Sequence, residues 1–239
     1  MLKGLDLATL ARDDASGVGR RNLLWVTAAL AVLGSSEANA QQQSAPKMLS
    51  VPTASQRAAL ADLISADLLE DAASPVLGDA QGDISIVEFF DYRCPYCKVM
   101  APKLVELIGK EPRIKLVMKE YPILSRESII ASKVALVAAR HGAYASFHAA
   151  MFALQGPIDE ARIFQTAQSV GLAPAMVRQE KDGPEVLAEL RRNLVLGDLI
   201  GVRGTPTFLV NQEMVTGAVS LDILEKLVQE ARKRKGTGQ

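Results

Sequence analysis

The spacing of apolar positions divides the chain into strands and helices before any chemistry is considered. Ile84 to Phe90 is a run of branched and aromatic side chains that predicts a strand buried on both faces. From Lys98 to Ile108 the apolar positions return at helical spacing, and Gly109 is a natural stop. Arg113 to Lys119 alternates as a second strand, ended by Pro122, and upstream Ser74 to Asp83 predicts a short extended piece and a Gly-containing turn. Between Ser125 and Gly201 the pattern is helical throughout, with breaks near Gly142, Gly156 and Pro157, Gly171 to Pro174, and Gly183 with Pro184. A strand returns at Thr205 to Val210, Asn211 and Gln212 read as a hairpin turn, and Glu213 to Thr216 pairs back. Ser220 then caps a final helix that runs to about Arg234.

The N-terminal part follows a different logic. Arg20 and Arg21 precede an apolar run from Leu23 to Leu33, and Ala38-Asn39-Ala40 is a small-residue cleavage pattern, so residues 1–40 read as an export signal. The run is too short for a permanent membrane span, which needs about twenty residues. Arg20 to Leu24 also fits a loose twin-arginine pattern, which leaves the general and the twin-arginine export routes both open. No cysteine follows the run, so no lipid attachment is expected. Residues 41–53 are rich in Gln, Ser and Pro and read as a linker. Ser55 to Glu70 predicts a helix whose apolar stripe includes Leu60, Leu63, Ile64 and Leu68. That stripe packs either on its own domain or on its copy in another subunit. The resulting boundaries are signal 1–40, linker and helix 41–73, a discontinuous α/β domain 74–124 with 202–239, and a helical insertion 125–201. The 27 basic and 27 acidic residues cancel, and apart from the Lys233-Arg234-Lys235 tail no basic patch appears, which argues against a nucleic-acid partner.

The chain holds two cysteines, Cys94 and Cys97, at C-x-x-C spacing where the predicted strand turns into a helix. A helix start leaves backbone N–H groups unpaired with the positive end of the dipole behind them, which favours a thiolate at Cys94. Pro95 suits the first helical position, and Cys97 follows on the same side, close enough to close a disulfide. A ring this small staples little, about 2 kcal/mol on loop entropy, so a purely structural bridge is a weak reading. A zinc site would need two more ligands, and the chain offers His141 and His148 in a different helical region, where they read as surface or core residues. Redox chemistry remains, and an even pair of cysteines in an exported chain fits an oxidising compartment. Glu88, six residues before Cys94 on the buried strand, would have a raised pKa and could carry a proton to or from Cys97. A salt bridge from Glu88 to Lys119 on the neighbouring strand is the alternative. Pro95 and Tyr96 occupy the variable dipeptide and should tune the redox potential.

Strand, helix, strand, helical insertion, hairpin and helix is the element order of a thioredoxin fold interrupted by an all-helical domain, with an N-terminal helical extension. Glu88-Phe-Phe, Cys94-Pro-Tyr-Cys97 and the distant Gly204-Thr-Pro-Thr-Phe208 resemble the DsbA-like family of periplasmic thiol oxidoreductases. The Lys119-Glu-Tyr-Pro122 element, the expected N-terminal helix and the Tyr-containing active site resemble its suppressor-of-copper-sensitivity C type. The resemblance covers roughly residues 74–234. It implies an attacking thiolate at Cys94, a resolving thiol at Cys97 forming a redox-active disulfide with it, and a cis-proline pair at Thr205 and Pro206 that offers a backbone edge to an extended substrate. A strand start with a trans proline is the plain alternative for that pair. Ala101 stands where DsbA carries an acid, so the potential need not match. The resemblance further implies exported proteins as clients, a membrane redox partner, no cofactor and no resident metal. Thr205 and Tyr96 lean toward the isomerase and reductase members. A Cu(I)-binding role for the same thiolates is the competing expectation, since soft thiolates select Cu(I).

Overall fold

The computed structural model describes residues 65–210 and 213–236. The export signal, the linker, most of the expected N-terminal helix and the Asn211-Gln212 turn lie outside the described residues. Helix α1 is described over residues 65–69. After it come β1 (Val76–Gly78), β2 (Ile84–Phe90), α2 (Pro95–Lys110) and β3 (Ile114–Glu120). Five helices then follow without an intervening strand: α3 (Arg126–Arg140), α4 (Tyr144–Ala153), α5 (Glu160–Ser169), α6 (Pro174–Glu180) and α7 (Pro184–Ile200). The chain closes with β4 (Thr207–Val210), β5 (Glu213–Thr216) and α8 (Leu221–Gly236). The five strands form one sheet in the order β1-β3-β2-β4-β5. This is the thioredoxin-like sheet with a helical insertion between β3 and β4 that the element order predicted.

β2 sits at the centre because it is apolar on both faces. It pairs in parallel with β3 through seven aligned residues, Ile84 with Ile114 to Phe90 with Glu120, and antiparallel with β4. A strand alternates sides with period two, so Ile86, Glu88 and Phe90 share one face with Leu116, Met118, Glu120, Phe208 and Val210, whereas Val87, Phe89, Val117 and Lys119 share the other. The first face lies under α2 and α8 and continues into α3 and α4, where Phe90, Tyr92, Phe147 and Phe152 belong to one buried cluster. Sheet and insertion therefore share a core. The second face is covered by Leu68 of α1, Tyr121, Leu196 and Val202. The described end of α1 thus packs on its own domain.

Local signals explain the element ends. Ser125 Oγ accepts from the Ser128 N–H at 3.1 Å to cap α3, and Asp159 Oδ1 accepts from Arg162 N–H at 2.8 Å to cap α5. α7 ends at Gly201 in the left-handed region, φ 86°. β4 starts at Thr207, two residues later than the sequence pattern suggests, because Pro206 has no N–H to give to a ladder.

Candidate active site

The cysteine turn and the Thr205–Pro206 loop meet beyond the C-terminal end of the central strand β2. Cys94 is the residue that caps α2, with φ −74° and ψ 118°, and Pro95 takes the first helical position. The Cys94 N–H donates to Asp91 O at 3.0 Å and the Cys94 carbonyl accepts from Lys98 N–H at 3.1 Å, which winds the turn into the helix. The Thr205–Pro206 peptide is cis, as the resemblance implied. Its loop reaches the cysteines directly: the Cys94 thiol donates to the Thr205 carbonyl at 3.1 Å. The Cys94 sulfur and the Thr205–Pro206 loop are thereby in contact.

Cys94 and Cys97 are both free thiols, 5% and 0% exposed. Burial, and next the charge of Glu88, push the Cys97 thiol far up. Glu88 is 2% exposed on the sheet face that α2 covers, and burial pushes its carboxyl up to about 8. The alternative reading, a salt bridge from Glu88 to Lys119, does not form. Glu88 stands opposite Met118 in the ladder, while Lys119 stands opposite Phe89 and points to the other face. Lys119 Nζ donates instead to Asp67 O at 2.8 Å and to Ser74 Oγ at 2.6 Å, with Asp71 Oδ2 at 3.7 Å. Pro95 is exposed, and so is Tyr96, at 61%, on the rim outside the sulfurs.

Behind the turn lies a polar cluster that sequence spacing did not single out. Glu120 Oε1 accepts from Tyr92 OH at 3.2 Å and from Tyr144 OH at 3.0 Å, inside the shared core. Tyr92 O is also 3.2 Å from His148 Nδ1. A phenol has one proton to give, so with Tyr92 donating to Glu120 the imidazole must present Nδ1–H to the phenol oxygen. Burial pushes the Glu120 carboxyl up to about 8 and lowers His148 to about 3, which leaves the imidazole neutral. Asp91, fully buried, accepts from Arg93 N–H at 2.8 Å with one oxygen and from Ile123 and Leu124 N–H at 2.9 and 3.0 Å with the other. It clamps the loop after β3 to the cysteine turn. Glu120 lies inside the Lys119-Glu-Tyr-Pro122 element, which carried the family resemblance and gave no sign of its partners. His141, by contrast, sits at the surface, 3.0 Å from Glu180 Oε2, where the sequence had left surface or core open for both histidines.

The DSBA-like thioredoxin domain family matches residues 85–229, a stretch that includes both cysteines and the Thr205–Pro206 loop. The chain belongs to that family. Among solved structures it is similar to a thioredoxin-like oxidoreductase from Silicibacter pomeroyi, at 36% identity and TM-score 0.69, over 70% of this chain and 97% of that one. The catalytic domain of Proteus mirabilis ScsC is similar at 30% identity and TM-score 0.66, over 73% of this chain and 97% of that one. By sequence, the thiol:disulfide interchange protein DsbA of Bordetella parapertussis is 24% identical over 172 residues, 66% of this chain and 82% of that protein. The chain also matches two Na(+)/H(+) antiporters from Salinispora species, but spans only 24% of their length. Among the described residues no helix is long and apolar enough to cross a membrane.

Proposed function

We propose that this chain is a thiol-disulfide interchange protein of the periplasm that acts on exported proteins through a mixed disulfide at Cys94. The observation that carries the reading is the Cys94 thiol at the α2 start, bonded to the Thr205 carbonyl, with Cys97 buried one turn behind it. In the reducing direction, the Cys94 thiolate attacks one sulfur of a client disulfide. A Cys94–client bond forms and the second client sulfur leaves as a thiolate that takes a proton. Cys97 then gives its proton to the Glu88 carboxylate and attacks Cys94, expelling the first client thiol and leaving Cys94–Cys97 oxidised by two electrons. Oxidation of a client dithiol is the same sequence reversed. In isomerisation the freed client thiolate attacks elsewhere in the client, and Cys94 leaves still reduced. Pro95 and Tyr96 set the potential that decides between these outcomes.

Thr205 before Pro206 and Tyr96 within the cysteine motif support the isomerase or reductase direction, which needs an electron-donating membrane partner to keep Cys94 reduced. Periplasmic placement is supported by the signal-like residues 1–40 and by the likeness to a periplasmic thioredoxin-like protein from Salmonella enterica, at 31% identity and TM-score 0.66. The copper alternative, Cu(I) held by the same two thiolates, is told apart by assaying bound metal on the purified reduced protein alongside disulfide reduction.

The test is a pair of variants mixed with a scrambled multi-disulfide protein and run on a non-reducing gel. Cys97→Ser is expected to accumulate client adducts that dithiothreitol dissolves, and Cys94→Ser none. Absence of adducts with Cys97→Ser overturns the mechanism. Trapping the thiols in intact cells gives the direction: reduced for isomerase, oxidised for oxidase.

A further inference from the structure

Glu120 is a fully buried carboxyl that none of the exchange steps uses. It stands at the end of β3, where the cysteine turn and the helical insertion meet. Tyr92 OH, from the turn, donates to its Oε1 at 3.2 Å, and Tyr144 OH, from α4, donates to the same oxygen at 3.0 Å. The Ser132 hydroxyl of α3 lies beside the carboxyl, and neither it nor Oε2 has another partner among the described residues. Burial keeps the carboxyl protonated below about 8, so the proton sits on Oε2 with Ser132 left to accept it.

Tyr92 connects this cluster to the chemistry. It is buried two residues before Cys94, and its phenol is gripped from two sides, by Glu120 and by His148 at 3.2 Å. The residue before it, Asp91, accepts the Cys94 N–H through its carbonyl, so fixing the phenol fixes the segment from which Cys94 projects. Cys97 is anchored separately, fully buried in α2. Closing the disulfide brings the sulfurs to about 2.05 Å, and how readily it closes depends on how near the fold already holds them. A turn free to wander adds conformations to the dithiol that the disulfide must give up. We propose that Glu120 is a positioning residue for the exchange, holding the cysteine turn through Tyr92 so that Cys97 stays within reach of Cys94. The inference rests on the thiol-exchange reading and adds to it a residue that touches neither sulfur. Loosening the turn favours the dithiol, which makes the pair more oxidising, and slows the attack of Cys97 on a Cys94–client bond.

The test equilibrates the full chain with glutathione at pH 7: two glutathione thiols become one glutathione disulfide, and their two protons and two electrons pass to Cys94 and Cys97. Glu120→Leu, which leaves Tyr92 OH without its acceptor, is expected to favour the dithiol about tenfold, a potential about 30 mV higher. Tyr92→Phe is expected to move it the same way, and it answers the question should Glu120→Leu not fold. Glu120→Gln keeps an oxygen for both phenols and an N–H for Ser132, so its equilibrium is expected to stay within about twofold of the parent's. Tyr144→Phe strips a bond from the same oxygen but leaves the Tyr92–Glu120 bond in place, and it too should stay within about twofold, although it costs stability. Alkylation of Cys94 by iodoacetamide should be unchanged in all these variants, since no group of the cluster bonds its sulfur. The positioning role is overturned, and thiol exchange left standing, by an unmoved potential in both Glu120→Leu and Tyr92→Phe, by a shift in Tyr144→Phe as large as in Tyr92→Phe, or by Cys94 alkylation that changes by the same factor. A parent pair that does not exchange with glutathione overturns thiol exchange itself, and the inference with it.

Discussion

At Glu88 the burden of burying a carboxyl and the use of it come from the same fact. Burial favours the protonated form and holds its pKa at about 8 instead of the ordinary 4.5. The folded protein then binds more protons than the unfolded chain between those values, so stability falls as pH rises across that window. Below about 4.5 both states carry the proton and nothing is lost; above about 8 the loss is complete. Glu120, also raised to about 8, acts in the same direction. Glu88→Gln is therefore expected to leave the denaturation midpoint nearly unchanged at pH 4 and to raise it at pH 8, by a few kcal/mol at most. The catalytic consequence has the opposite slope. A proton acceptor must be ionised, so breakdown of the Cys94–client intermediate should speed up with pH, reach half its maximum near 8 and level off above it. In Glu88→Gln it should be slow, without that inflection, when measured by quenched-flow alkylation. An unaltered profile would remove Glu88 from the proton path. Glu88 was legible because the strand around it is apolar on both sides. The alternative, a salt bridge to Lys119, fails because Lys119 pairs in the ladder with the next residue, Phe89, and faces the other way. Tyr92, Tyr144 and His148 were not legible as partners of Glu120, since nothing local marks side chains that meet from three separate elements.

Elements were read well where periodicity or capping acts locally, and less well where a neighbour decides. The two long strands, the cysteine helix and the helical insertion follow from alternation, helical spacing and Gly-Pro breaks. The start of β4 shifted because a proline donates no N–H, a matter of one residue's chemistry rather than of pattern. Gly197, in the last turn of α7, is a case that spacing alone cannot explain. A Cβ there would lie 2.5 Å from Tyr121 Cε2. Tyr121 is 5% exposed and packs edge-on against Phe89, ring centroids 5.5 Å apart, so it has little room to move. Gly197→Ala gains about 1 kcal/mol of helix propensity but forces α7 off the sheet face, a clash on the order of 1–3 kcal/mol. The net expectation is a lower melting temperature, whereas Gly109→Ala, where a Cβ meets nothing within 4 Å, should not lower it. Tyr92→Phe tests the other element contact, between the cysteine turn and α4. Losing the hydroxyl strips a partner from both Glu120 and His148 and should cost about 1–3 kcal/mol by urea midpoint.

On the scale of the whole molecule the question is where the domain begins and what the preceding helix does. The sequence allowed a boundary near residue 73, with the helix free to join subunits. The described residues just before that boundary pack on the sheet. Leu68 is buried against the second sheet face, and Asp67, Asp71 and Ser74 surround the fully buried Lys119 ammonium. Arg192 of α7 closes the ring, 2.7 Å from Asp71 Oδ2 and 2.9 Å from Glu189 Oε2, while Ser74 Oγ donates to Glu189 Oε1 at 2.8 Å. Residues 67–74 are thus part of the fold. A chain starting at residue 75 would leave Lys119 buried without these partners, a loss of about 3–5 kcal/mol by analogy with breaking a buried ion pair. A chain starting at residue 65 keeps them. If the stripe formed by Leu60, Leu63 and Ile64 joins copies of the chain, as proposed from the sequence, the start at 65 should be a folded monomer with Cys94 chemistry intact. It should isomerise scrambled clients less well and oxidise dithiols faster, since its site no longer faces a second one. Light scattering on the chain from residue 41 and on the two truncations decides the matter. A monomeric longer chain sinks the assembly proposal, and a start at 75 as stable as a start at 65 sinks the role given to Lys119.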